Sequence, residues 1–106
     1  MTTAVRDKGR VPLDRADGKP FGGVEPATGF LWIGFLDLQH HEAVVWYEPL
    51  GWLPRVSYEW VNLTNWIGFI HDGHFKVEGY TWLENGGTVP GGHFIVLDLG
   101  PVPKVN

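Results

Sequence analysis

Trp32-Ile33-Gly34-Phe35-Leu36 returns 34 residues later as Trp66-Ile67-Gly68-Phe69-Ile70. A shared Trp-Ile-Gly-Phe phrase in so short a chain is the mark of an internal duplication. A second phrase, Trp46-Tyr47-Glu48-Pro49-Leu50-Gly51-Trp52-Leu53-Pro54, matches Trp82-Leu83-Glu84-Asn85-Gly86-Gly87-Thr88-Val89-Pro90 at an offset of 36. That offset also pairs Tyr58 with Phe94, Val61 with Leu97, Asn62 with Asp98 and Leu63 with Leu99. The offset grows by two between the phrases, which reads as a two-residue insertion near Gly79 or the 71–74 turn.

Each copy reads as three strands, over 30–37, 42–48 and 55–63 in the first and 66–71, 74–84 and 93–99 in the second. Two-residue alternation in Val56-Ser57-Tyr58-Glu59-Trp60 and in Phe75-Lys76-Val77-Glu78 gives each segment one buried face. Asp72-Gly73 is a strong hairpin signal, because both positions of a tight strand-matching turn need positive φ. Gly34 and Gly68 break the apolar runs at the same place, which disfavours helices, and a glycine inside a strand marks a bulge or a close approach of backbone.

The expected fold class is therefore all-β: six short antiparallel strands as two tandem three-stranded repeats (30–64 and 66–100), forming a small barrel or sandwich over residues 29–100. Gly9, Pro12, Gly18, Pro20, Gly22, Gly23 and Pro26 make residues 1–28 read as a flexible or extended N-terminal arm, and 101–106 as an extended tail.

Composition agrees with that reading and narrows the function. The 106 residues suffice for one modest core, and 15 Gly, 8 Pro, 6 Trp and 6 Phe favour turns and strands over helices. The chain has no cysteine, which excludes disulfides, thiolate zinc sites and cysteine nucleophiles. With no cysteine and no apolar leader at its start, it is expected to fold in the cytoplasm. No run is long enough to span a bilayer, so no membrane partner is expected and the sequon Asn62-Leu63-Thr64 reads as idle. Net charge is −4, and five of the eight basic residues (Arg6, Lys8, Arg10, Arg15 and Lys19) lie within the first 19 positions. The remaining domain is acidic and lacks the basic stripe of a nucleic-acid binder.

Catalytic patterns are missing as well. Ser57 is the only serine and lies mid-strand, away from any nucleophile elbow. Pro90-Gly91-Gly92-His93 falls two residues short of a cupin-type motif, and no two histidines have the i, i+2 spacing that puts both rings on one strand face. The five histidines read as solvated turn residues, with no metal, cofactor or catalytic set expected. Binding candidates are the two aromatic-plus-acid pairs, Trp46 with Glu48 and Trp82 with Glu84. Trp52 and Trp60 join them, because the other copy has Thr88 and Val96 in their places. Trp32 and Trp66, inside the repeated phrase, read as core.

A cysteine-free, acidic, aromatic-rich β domain behind a long polar arm resembles the small accessory proteins of tailed-bacteriophage virions, such as capsid decoration and minor tail proteins. The likeness lies in size, layout and composition, and brings no site residue with it. It implies a non-enzymatic virion structural protein that binds neighbouring protein subunits or itself as a homo-oligomer, through apolar β surface and ordered termini. The alternative is a carbohydrate-binding, lectin-like module using the repeated Trp/Glu pairs.

Overall fold

The structure, a computed structural model, describes residues 20–82 and 91–105. The chain is all-β, with two antiparallel sheets facing each other as a sandwich. The first sheet holds β1 (Phe21–Val24), β2 (Leu31–Asp37), β3 (Glu42–Tyr47), β4 (Gly51–Trp52) and β5 (Val56–Ser57), in the order β1-β2-β3-β4 with β5 on the other half of β3. The second holds β6 (Leu63–His71), β7 (His74–Thr81) and β8 (Phe94–Pro101) in sequential order. Among the described residues there are eight strands where the sequence suggests six.

The repeated phrase occupies β2 and β6, and both copies use it alike. Gly34 lies opposite Val45 on β3, and Gly68 opposite Val77 on β7. Beyond the phrase the copies part. The β2–β3 connection uses four residues, 38–41, while β6–β7 uses the tight Asp72-Gly73 turn, with φ of 53° and 72°. Loop length sets hairpin register. The ladder therefore matches Val45 to Val77 and Trp46 to Glu78, and Trp82 falls four residues beyond the position equivalent to Trp46. The Trp-x-Glu phrases are thus alike in sequence and different in place.

The third strand of the first copy is also different from expectation. Pro54 has no ladder donor, and the 55–63 stretch yields only the two-residue β5 before leaving the sheet. Residues 58–62 carry the chain across to the second sheet, and Leu63, assigned by sequence to the first copy, begins β6. Asn65, at φ 54°, is the extra residue of a bulge between Thr64 and Ile67, which restores the inward alternation of β6.

The boundary drawn at residue 29 also moves, because β1 belongs to the folded unit. Phe21 is only 7% exposed. A Cβ on Gly34 would stand 2.3 Å from its ring, and a Cβ on Gly68 would stand 2.6 Å from it. Both glycines of the duplicated phrase are therefore bare so that one aromatic ring from outside the repeat can sit between the sheets. Trp32 meets Phe21 edge-on at 5.9 Å, and Trp32, Phe75 and Tyr47 continue the aromatic core. Leu36, Val45, Val61, Leu63, Val77, Leu97 and Leu99 fill the rest, with Trp66 packed at its margin. Residues 1–19 of the expected arm lie outside the described residues.

Candidate functional site

Directly paired residues of antiparallel strands point to the same side, so the ladders sort every side chain. In the first sheet Trp32, Gly34 and Leu36 face inward with Tyr47, Val45 and Ala43. Leu31, Ile33 and Phe35 face outward with Trp46 and Val44, joined by Val24 from β1 and Trp52 from β4. An antiparallel sheet normally presents polar side chains to solvent. Here that face is apolar, with Val24, Leu31 and Ile33 exposed. Trp46 lies beside Trp52 across the strands, packed down to 8% exposure, and the Trp52 ring approaches Phe35 at 6.3 Å. Neither indole Nε1–H has an acceptor among the described residues, although both atoms are buried. An unmet buried donor costs about 1–3 kcal/mol.

The second sheet repeats the pattern. Ile67, Glu78 and Val96 form one outward row and Tyr80 with Phe94 the next, with Trp82 beyond. Ile67 is 69% and Phe94 67% exposed, and Tyr80 meets Phe94 edge-on at 5.0 Å. The opposite end is polar. His74 Nδ1 lies 2.9 Å from Asp98 Oδ1, Lys76 Nζ is 4.0 Å from the other oxygen, and the Gly100 amide donates to Oδ1 at 2.9 Å. The His74 hydrogen bond, with these neighbours, holds the Asp98 carboxyl below its ordinary pKa.

The sequence-selected residues do not assemble into two equal sites. Trp46 stands on β3 and Trp82 just past the end of β7, and only Trp82, at 56% exposure, offers an open ring. Glu48 is exposed and accepts the Leu31 amide at 2.9 Å, tying the start of β2 to the turn after β3. Glu84 lies outside the described residues. Trp52 is half-buried against β3, and Trp60 is 55% exposed on the 58–62 crossing.

Trp60 leads to a cluster that the sequence reading missed. The His41 ring stacks on Trp60 at 3.8 Å and meets the edge of Tyr58 at 5.6 Å. His41 is buried, contrary to the expectation of a solvated turn residue. Its backbone takes φ 54°, its carbonyl accepts the Tyr58 amide at 2.9 Å, and its Nδ1 accepts the Val61 amide at 3.3 Å. These bonds fasten the β2–β3 loop to the crossing segment. Burial pushes the His41 pKa below its ordinary value. Beside it, Asp37 accepts from the Gln39 and His40 amides at 3.2 Å each and lies 3.0 Å from His40 Nδ1. Burial alone would raise the Asp37 carboxyl, but the bonds and charge of His40 outweigh it and leave the pKa lowered. Arg55 bridges Glu42 at 2.8 Å and Asp37 at 3.7 Å. His40 and His74 are paired with carboxylates rather than uncoupled. The only sequence hint was a run, Asp37 to Glu42, two residues longer than the matching Asp72-Gly73 hairpin.

A hollow at one end of the sandwich is lined by Glu25, Thr28, Tyr47, Gly73 and the tail residues Val102 to Val105. There Glu25 Oε1 accepts from both the Tyr47 hydroxyl at 2.5 Å and the Thr28 hydroxyl at 2.7 Å, and that oxygen is saturated. Among the described residues no group of three or more His, Cys, Asp or Glu is arranged to hold a metal. No protein family, curated protein or solved structure matched the chain.

Proposed function

We propose that this chain is a non-enzymatic structural module that binds protein subunits through the apolar outer faces of its sheets, in a bacteriophage virion, as a capsid decoration or minor tail component. One observation carries the subunit-binding reading: the outer face of the first sheet and the Tyr80–Phe94 end of the second are apolar, where an isolated sandwich would alternate to polar side chains. Aromatic and aliphatic side chains with few charges at their centre are the composition of an interface core. The virion setting rests on the likeness in size, layout and composition.

The test is retention of the purified chain on capsids and tails assembled from the same genome, with Ile33→Lys and Phe94→Glu as face-specific variants. Retention lost in either variant is the expected result. A chain that stays monomeric at high micromolar concentration and is retained by neither assembly overturns the proposal.

The carbohydrate alternative narrows to the second sheet, where Trp82, Tyr80 and Phe94 present rings beside Glu78. Trp46 is too deeply packed to stack on a sugar. A glycan array with wild type and Trp82→Ala decides that reading.

A further inference from the structure

The outer face of the second sheet is complementary to itself. Its outward side chains run Lys76, Glu78, Tyr80 along β7, with the exposed Trp82 just past the strand's end, and Asp98, Val96, Phe94 along β8. Gly79 and Ile95 are paired at the midpoint of this pattern and point inward. We infer that a second copy packs on this face about a twofold axis lying between the sheets, across the strands, over Gly79 and Ile95. Such an axis places position 79+n against 79−n and position 95+n against 95−n. Tyr80 then faces the second copy's Glu78, Trp82 faces its Lys76, and Phe94 faces its Val96.

Each of these contacts joins groups that attract. The Tyr80 hydroxyl donates to a carboxylate, Trp82 offers its ring face to an ammonium, and Phe94 covers an aliphatic side chain. Neither Glu78 nor the Tyr80 hydroxyl is tied to another described residue, so both are free to exchange water for each other across the contact. The alternatives are poorer. An axis over the Glu78–Val96 row would set Glu78 against its own copy. An axis over Val77 would lay the exposed Phe94 end over the polar His74–Asp98 end.

Two aligned sheets pack about 10 Å apart at about −30°, a geometry that keeps pairs near the axis in contact. Three strands of eight or nine residues present a footprint of roughly 400 Å² per copy, below the standard interface and in the range of weak, transient association. An isologous contact of this kind closes on itself and leaves the first sheet's outer face free. The inference rests on the subunit-binding reading and deepens it by assigning one face to self-association.

Sedimentation of the full chain from low to high micromolar concentration tests it. A monomer–dimer equilibrium is expected, abolished by Phe94→Glu. Tyr80→Phe and Glu78→Ala should each weaken the dimer about tenfold or more, since each removes a charge-assisted hydrogen bond at two symmetric places. The double variant should be no weaker than the worse single one, because both delete the same bond. These side chains face solvent in the monomer, so the melting temperature of a dilute sample checks that each variant folds. Should Phe94→Glu fail to fold, the Tyr80–Glu78 cycle still decides. A wild-type chain that stays monomeric at about 1 mM, or a dimer whose Tyr80 and Glu78 variants act additively, overturns the inference. If that monomer is nevertheless retained on capsids or tails, only self-association falls. If it binds neither, the subunit-binding reading falls with it.

Discussion

Phe21→Ala should remove the greater part of this protein's stability, although residue 21 lies outside both sequence repeats. The ring is 93% removed from solvent, bears on the bare backbone of Gly34 and Gly68, and meets Trp32 edge-on at 5.9 Å. Truncating a buried Phe costs about 3–5 kcal/mol, including the void left where the surroundings cannot collapse. Collapse is restricted here, because the nearest walls are strand backbone. A domain of this size is stable by about 5–10 kcal/mol, and a urea slope of about 1–1.5 kcal/mol/M turns the loss into a midpoint lower by roughly 2–5 M. The mechanism has a second signature. Gly34→Ala alone should destabilise by about 1–3 kcal/mol through overpacking, since its Cβ would stand 2.3 Å from the ring. In the Phe21→Ala background the same methyl enters vacated space, so the two effects should be strongly non-additive, with the double variant more stable than their sum predicts. Urea unfolding of the four proteins measures the cycle. A Phe21→Ala loss below about 1 kcal/mol, or simple additivity, would refute the seat between the two glycines and return residue 21 to the arm.

Three further outcomes follow from the geometry. His41 is buried with its pKa lowered, so the unfolded chain binds a proton first; stability should be complete above the unfolded value of about 6.5 and fall as pH drops below it. Asp37 and Asp98, also lowered, add a further loss below about pH 4. Urea midpoints at pH 7.5, 6 and 5 check this, and His41→Gln should flatten the change between 7.5 and 5. Trp60→Ala uncovers one face of the His41 ring, so the His41 pKa should climb toward its ordinary value in an NMR titration with little loss of stability. Gly73→Ala should cost about 1 kcal/mol and lower Tm by about 4–8 °C, because φ is +72° there, while Gly73→Asn should cost clearly less.

Local patterns recovered most of the second copy. Asp72-Gly73 specified its hairpin because two adjacent residues at positive φ are a short-range demand, visible without any tertiary partner. Alternation in Phe75-Lys76-Val77-Glu78 likewise marked one inward face, and Phe75 and Val77 are fully buried. The first copy was less legible. Its four-residue loop shifts the ladder, so the Trp46 and Trp82 phrases no longer coincide, and hydrogen-bond register is a property of paired strands. The His41 cluster was illegible for a similar reason: its members come from the 38–41 loop and the 58–61 crossing, and a short polar loop does not announce a burying partner.

What the sequence by itself determined is the class of structure and its building phrase. Gly, Pro and aromatic content, two-residue alternation and the repeated Trp-Ile-Gly-Phe are all local, and they suffice for short antiparallel strands with their apolar sides together. Only the tertiary structure decided what the repeated glycines are for. Their missing side chains make room for Phe21, a residue between Pro20 and Gly22 in a stretch with the composition of an arm. Closing a cavity between two sheets depends on volumes brought together from distant parts of the chain, and no local window of sequence contains them. The same holds for the outward faces: which tryptophans are covered and which are open follows from the register of the completed ladders.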